Sequence, residues 1–471
     1  MVERMTEPAL QDPPPGPPKE AAAEELAGVT PEQVGAVTAA VTGGDMEKAA
    51  GLVLQLHAAD AAALIGQLDE TQRRAVIEAL RGRFDAEVLA SLESSVQEKV
   101  LEQLGTEEVA SAVAELETDD AVHVLAALDD DVRSDVLDAV PGPERSQIEQ
   151  SLAYPEESAG RLMQQAFIAM PEFWSVGQAI DYLRDADNLP DEFYELFVTD
   201  PERRPVGTIP LNRVLKAKRH TVLRDIMGRD LTLIPAAMDQ EEAAFQFQQY
   251  DLPSAGVVDE GGRLVGVIMI DDVLDVVQEE VEEDLLRLSG AGEAGLARSV
   301  GATARARFPW LFVNVITAFL AAGVIAFFEG TIEQMVAAAV LMPIVASMGG
   351  NAGNQTVAVA VRAIATHTLT TTNAARIVLN EVLVGGANGI VFAVIVGVVG
   401  AAWYGTPELG MVFGLAMLIN MVAAALAGIL IPLGLDKFGV DPAVASSVFV
   451  TTVTDVVGFF VFLGLVTVLL L

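Results

Sequence analysis

The side chains in this sequence that could do chemistry are hard oxygen donors, placed where apolar residues would be expected. "TTVTDVVGFF" (residues 451–460) sets one carboxylate, Asp455, among hydroxyls inside the last strongly apolar run. "PIVASMGGNAGNQT" (343–356) packs a proline, three glycines and three amides into another such run. "DDVLDVVQEEVEEDLLRL" (271–288) crowds Asp272, Asp275, Glu279, Glu280, Glu283 and Asp284 into one stretch. Carboxylate, hydroxyl and amide oxygens without thiol or imidazole suit magnesium or calcium rather than zinc or copper. The chain has no cysteine, which removes disulfides, thiolate metal sites and thiol nucleophiles. Of its four histidines, His57, His123 and His220 are scattered and His367 falls in a short loop between apolar runs, none at ligand spacing from another. They read as surface or packing residues.

Each acidic feature admits two readings. An aspartate at the centre of a membrane helix costs about 2.5–3.5 kcal/mol, so Asp455 should face a bundle interior or a wet path. It is either hydrogen-bonded to a neighbouring helix, a role Thr451, Thr452 and Thr454 could share, or it is a cation ligand. Glu381, near the start of the third apolar run, reads as interfacial. In the 271–288 stretch, Leu274, Val277, Val281, Leu285 and Leu288 make one apolar stripe at helical spacing, with the acids on the opposite side. Like charges three and four residues apart cost a few tenths of a kcal/mol per pair. That face is either simply solvated or a place for a divalent cation. "DKFG" (436–439) resembles the phosphorylated aspartate motif of ion-pumping ATPases. It sits in a short loop with no nucleotide-hydrolysing domain and no phosphate loop, so no enzymatic activity is expected.

These residues belong to a chain of 471 residues with 66 acidic and 28 basic side chains, a formal net charge of −38. Nearly all of that charge lies before Phe308. Phosphates would be repelled, which excludes nucleic acid as a partner. Beyond Phe308 come apolar runs of bilayer-spanning length: 310–328, 332–364, 377–404, 410–433 and 444–471. The second is too long for one simple helix, and its Pro- and Gly-rich middle is expected to break or bend it, which at membrane depth is tolerated only against protein or a water-filled path. Arg298, Arg305, Arg307, Arg362, Arg376 and Lys437 fall on one side of five spans, whereas Glu329, Glu333 and Glu408 mark the other. This predicts a cytoplasmic N-terminal half and an external C-terminus in a multi-pass protein of the cell membrane.

Before the spans, residues 1–30 read as a disordered Pro-rich lead without the apolar core of a signal peptide. Residues 31–153 show short amphipathic helices whose starts recur every ~22–25 positions, the mark of an all-α helical-repeat domain. From "YPEESAGRLM" (154–163) onward two βαββα-like units follow. The second carries a hairpin, "AGVVDEGGRLVGVIMI". The pair resembles a tandem cystathionine-beta-synthase (CBS) module, an α/β regulatory sensor, over 154–270. Residues 271–307 would form an acidic connecting helix and linker, and 308–471 a transmembrane domain of five helices.

"PIVASMGGNAGNQT", "VDPAVASSVFVTTVTDVVGFF", "YPEESAGRLM" and "DDVLDVVQEEVEED", in this order of domains, together resemble the MgtE magnesium channels. The resemblance covers nearly the whole chain after the first 30 residues. It implies a homodimer in the bilayer with a pore on its two-fold axis, into which each subunit contributes Asp455 to grip a hydrated magnesium ion. It further implies that Asp272, Asp275, Glu280, Glu283 and Asp284, with Asp441 in the loop before the fifth span, sense cytosolic magnesium and close the pore. ATP is a further expected ligand, since some members bind it in the CBS module. The ribose-binding pattern Gly-x-x-Thr/Ser-x-x-Asp departs here: "GTIPLNR" has Pro210 and Arg213 in place of Thr and Asp, and "GVIMIDD" has Met269 but keeps Asp272. Two rivals stay open, a proton-coupled divalent-cation carrier and a membrane-anchored magnesium sensor that does not conduct.

Overall fold

The computed structural model describes residues 28–186, 189–190, 192–288, 300–369, 372–443 and 446–471. Almost all of the expected Pro-rich lead, and residues 289–299 of the expected linker, lie outside the described residues. The chain forms two compact units, one of Met1–Gln240 with Pro253–Met269, the other of Glu241–Leu252 with Ile270–Leu471.

The first unit begins with short helices: α1 (Pro31–Thr42), α2 (Met46–Val53), α3 (Ala58–Gln67), α4 (Glu70–Leu80) and α5 (Ala86–Ala90). They continue as α6 (Ser94–Leu101), α7 (Thr106–Glu115), α8 (Thr118–Ala126), α9 (Asp130–Ala139) and α10 (Gly142–Leu152). Starts are written locally: Thr30 with Gln33, and Asp69 with Gln72, close capping boxes that satisfy the free N–H groups of a first turn. The expected repeat also shows in polar chemistry. Arg73 donates to the carbonyls of Ile65 (3.1 Å) and Leu68 (2.9 Å), and Arg133 donates in the same way to Leu125 (3.0 Å) and Leu128 (2.9 Å). Gln97 plays the same part toward Leu89 (3.0 Å). In each unit a long polar side chain ties down the carbonyl end of the helix before it.

After α11 (Ala159–Leu162) come two copies of one small motif. In the first, β1 (Ala169–Pro171) lies parallel to β2 (Glu195–Thr199), which pairs antiparallel with β3 (Pro205–Pro210); α12 (Val176–Asp185) intervenes, and α13 (Leu211–Lys216) and α14 (Leu223–Ile226) follow. In the second, β4 (Leu233–Pro235) is parallel to β5 (Ser254–Val258), and β5 is antiparallel to β6 (Leu264–Met269). Both copies shift register at the same place, between Val198 and Thr199 and between Val257 and Val258. The sheets meet across Phe197, Leu264, Val267 and Met269. Gly256 is needed at that seam, because a Cβ there would come within 2.8 Å of the Phe197 ring.

The second unit holds α15 from Glu241 onward (helix Gln240–Tyr250), α16 (Ile270–Leu288), α17 (Val300–Phe327), α18 (Glu329–Gln334), α19 (Val336–Ala365), α20 (Ala374–Tyr404), α21 (Pro407–Lys437) and α22 (Ser446–Leu469). Among the described residues, five helices are long and apolar enough to cross a membrane: α17 from Thr303, and α19 to α22. The most buried of them is α21, where Val412, Phe413, Ala416 and Met417 pack with Leu341, Val345, Phe462 and Leu463 of α19 and α22. By contrast α17 is almost wholly exposed, as a helix facing lipid would be.

The expected break inside the second run is not found. The helix α19 runs unbroken through Pro343, Gly349, Gly350 and Gly353, and the chain departs from helix earlier, at Met335 between α18 and α19. Packing is the reason. A Cβ on Gly353 would lie 2.3 Å from Val450, one on Gly349 2.2 Å from Asn420, and one on Gly428 of α21 2.7 Å from the Gly353 carbonyl. The glycines admit neighbouring helices to close range, and that contact holds the helix against its weak propensity.

Candidate functional site

The helix α19 presents Ser347, Asn351, Asn354 and Gln355 on one side, at spacings of four, three and one. All four are exposed. Ser447 of α22 donates to Asn354 Oδ1 at 3.0 Å, joining this amide stripe to the fifth spanning helix. Asp455 stands in the third turn of α22, half-buried. The neighbouring hydroxyls turn back to their own helix: Thr451 to the Ser447 carbonyl (2.9 Å), Thr452 to Val448 (2.7 Å) and Thr454 to Thr451 (3.0 Å). They do not tie Asp455 to another helix. The exposed stripe and the half-buried carboxylate lie on helices long and apolar enough to cross a membrane, where lipid could not solvate such groups.

Glu381 is the eighth residue of α20, near the start of the third run as expected, and is half-buried. It lines a cavity of about 470 Å³ with Asn351, Gln355, Thr356 and Asn388, and Thr356 Oγ1 donates to it at 3.4 Å. In the loop after α19, His367 lies against α15. Its Nε2 is 2.9 Å from Glu242 Oε2, and its ring meets Phe245 edge-on at 4.7 Å. The expectation of a packing histidine holds, with a carboxylate partner added.

The acidic helix α16 is turned the other way from the usual amphipathic arrangement. Of the expected apolar stripe, Leu274 and Leu285 are each 63% exposed, and Val277 and Val281 are exposed as well. Buried instead are Val273 and Val276, and on that inner side Asp272, Glu280, Glu283 and Asp284 are half-buried. Asp275 and Glu279 are exposed. At the end of the helix, Leu288 packs into a cluster with Val357, Val361, Ala427 and Val450 of α19, α21 and α22, and with Ala443 from the segment between α21 and α22.

This brings part of the predicted sensor together. Asp284 lies within electrostatic range of Glu280 and Asp441. Burial, and then those two negative charges, push its carboxyl above the ordinary range, with Arg287 opposing. Arg287 is ion-paired with Glu283 one turn back, and its Nη1 reaches Asp441 Oδ2 at 2.5 Å. Asp441 Oδ1 accepts the Ala443 N–H at 2.7 Å, bracing the 441–443 segment. Asp455 belongs to a different place, in the third turn of α22. Among the described residues, no three His, Asp or Glu side chains converge in a ready-made metal cage. A hydrated ion held through its waters needs no such cage.

Two residues were missed from the sequence. Arg287, the sole basic residue of α16, could have been flagged by its position four residues after Glu283. Asn420, an amide inside an apolar span, carried the same signal as Asp455: its Nδ2 donates to the Val345 carbonyl at 2.8 Å, and it is fully buried. In the first CBS copy, Arg213 donates to the Ile226 carbonyl at 3.0 Å, and Met227 would crowd any Cβ on Gly207. The residue at the ribose-binding carboxylate position is thus a cation engaged with backbone.

Three family models match: one described as a divalent cation transporter over residues 342–465, the MgtE intracellular N domain over 56–157, and a CBS domain over 223–279. A magnesium transporter MgtE of Thermus thermophilus is 33% identical over 67% of this chain and 70% of its own length. One of Enterococcus faecalis is 31% identical over 66% of this chain and 68% of its own. A crystal structure of the cytosolic domain of the Mg2+ channel MgtE in complex with ATP is 30% identical, covering 52% of this chain and 99% of that one, with a TM-score of 0.48. With its N domain, paired CBS motifs, acidic helix and five apolar spans, the chain belongs to the MgtE family of magnesium transporters.

Proposed function

We propose that this protein is a magnesium-selective channel for uptake, built from two copies of the chain and closed by cytosolic magnesium. The observation that carries this is the exposed polar stripe of Ser347, Asn351, Asn354 and Gln355, with the half-buried Asp455, on helices of spanning length. Facing lipid it would be costly, whereas facing its copy across a two-fold axis it lines a wet path. Two Asp455 carboxylates across that axis repel one another when the path is empty, and a hydrated dication offsets both charges. The exposed aliphatic stripe of α16 supports the same pairing, since a second copy would cover it. The basic residues flanking the spans favour a cytoplasmic N-terminal half and an external C-terminus.

Closure follows from charge. When magnesium is scarce, Asp272, Asp275, Glu279, Glu280, Glu283, Asp284 and Asp441 repel one another; when it is plentiful, bridging ions draw α16 onto the membrane helices. The ion thereby stabilises the closed state, a shift of populations. ATP is kept as a candidate second ligand of the CBS pair, tested separately by whether it moves the closing curve. No hydrolysis drives the flux.

Reconstituted flux with internal magnesium varied is the test. Wild-type vesicles should pass magnesium and close as internal magnesium rises to millimolar levels. Asp455→Ala and Asp455→Asn should lower flux about ten- to hundredfold, the loss expected for a charge-assisted hydrogen bond to the ion's water. Flux that tracks an imposed pH gradient at fixed magnesium would instead identify a proton-coupled carrier. A wild type that never passes magnesium current would identify a sensor.

A further inference from the structure

Asn420 takes no direct part in the path described above, yet the fold is built tightly around it. It is 0% exposed in the middle of α21, its Nδ2 donates to the Val345 carbonyl of α19 at 2.8 Å, and its Oδ1 is sealed from solvent with no hydrogen-bond partner. An apolar side chain of the same shape would avoid that unpaired oxygen, so the amide's presence calls for a different account. Glycine stands on both flanking helices. A Cβ on Gly349 of α19 would come 2.2 Å from Nδ2, and one on Gly458 of α22 would come 2.9 Å from it. The same Gly349 position lies 3.2 Å from Thr454, the residue before Asp455. The amide is therefore wedged where α19 and α22 cross, against the stretch of α22 that carries Asp455.

We propose that Asn420 is a positioning residue for ion discrimination. It pins the Val345–Gly349 turn of α19 against the Thr454–Gly458 turn of α22, and so fixes the distance between the amide stripe and the Asp455 carboxylate. This rests on the reading of that surface as the cation path. Magnesium and calcium differ by only about 0.3–0.5 Å in preferred ligand distance, so rejecting the larger ion requires walls that do not give. A hydrogen bond to backbone supplies a directed tether that a packed methyl cannot.

The test measures magnesium and calcium flux in vesicles, with melting temperature, for wild type, Asn420→Ala, Gly458→Ala and the double variant. Asn420→Ala should raise the calcium-to-magnesium flux ratio roughly fivefold, the equivalent of one net hydrogen bond. Gly458→Ala, which displaces the amide, should do likewise. In the double variant the new methyl fills the vacated space, so the melting temperature should recover while the ratio stays raised. Recovery of both, or a fall in the two fluxes with an unchanged ratio, would mean that Asn420 only packs and would overturn the assignment. Asn420→Ser gives the same readout if the alanine variant does not assemble. A wild type that passes no magnesium would overturn the path itself, and the assignment with it.

Discussion

Glu195 in β2 accepts from Ser254 Oγ of the other sheet at 3.1 Å and lies largely out of water, so burial pushes its carboxyl above the ordinary range, with bonds from Thr208 and Ser254 opposing. Folding therefore takes up a proton here. The charge costs nothing below the unfolded-state value, and the cost grows as pH rises through the window between the unfolded and folded values. Glu195→Gln keeps the acceptor and drops the charge. It should raise the melting temperature by about 2 °C near neutral pH, with the gain vanishing in acid, as followed by thermal melts across pH. Legibility at this scale was uneven. Asp455 announced itself because a lone carboxylate in an apolar run has a large insertion cost. Glu195 did not, because what sets it apart is Ser254, a partner distant in sequence; Arg287 and Asn420 carried a local signal, but Asp441 and the Val345 carbonyl, which complete their roles, are remote.

At the scale of elements, α16 is the informative case. Its period was plain from the leucines and valines, and its existence as a helix follows from them. Which face turns inward was not, since that depends on where countercharge lies. Arg287, bonded to Glu283 and Asp441, supplies part of that countercharge from within the chain. Arg287→Gln should leave peak flux unchanged and raise the magnesium needed for half-closure about two- to fivefold, the worth of a partly exposed ion pair; flux against internal magnesium reads it. The helix α19 teaches the converse. Proline and glycine in its middle read as a break by local propensity, yet each glycine is the contact surface for a neighbouring span, and tertiary packing prevailed.

For the whole molecule, the order of helical repeats, paired α/β motifs, acidic helix and spans was readable because each carries its own period: short amphipathic turns, alternation with turn signals, a charge run and bilayer-length apolar stretches. Pairing with a second copy was not readable from periodicity, and it is the part of the proposal that a covalent test can reach. The chain has no cysteine, so Val281→Cys introduces one thiol per chain, on the exposed stripe of α16. Mild oxidation in the membrane should convert most of the protein to a disulfide-linked dimer on a non-reducing gel, with less product when magnesium is removed. A monomer band under all conditions would refute the pairing of these helices.

Val450 of α22 packs with Leu288 of α16, and α22 is the helix that carries Asp455. From its first residue, Ser446, to that carboxylate is nine residues, about 14 Å along a helix axis. A stiff rod grasped at one end and bearing its active group further along needs no relay of intervening side chains. In the proposed channel, a pull on that end would reach Asp455 as a slide or a tilt of the whole helix.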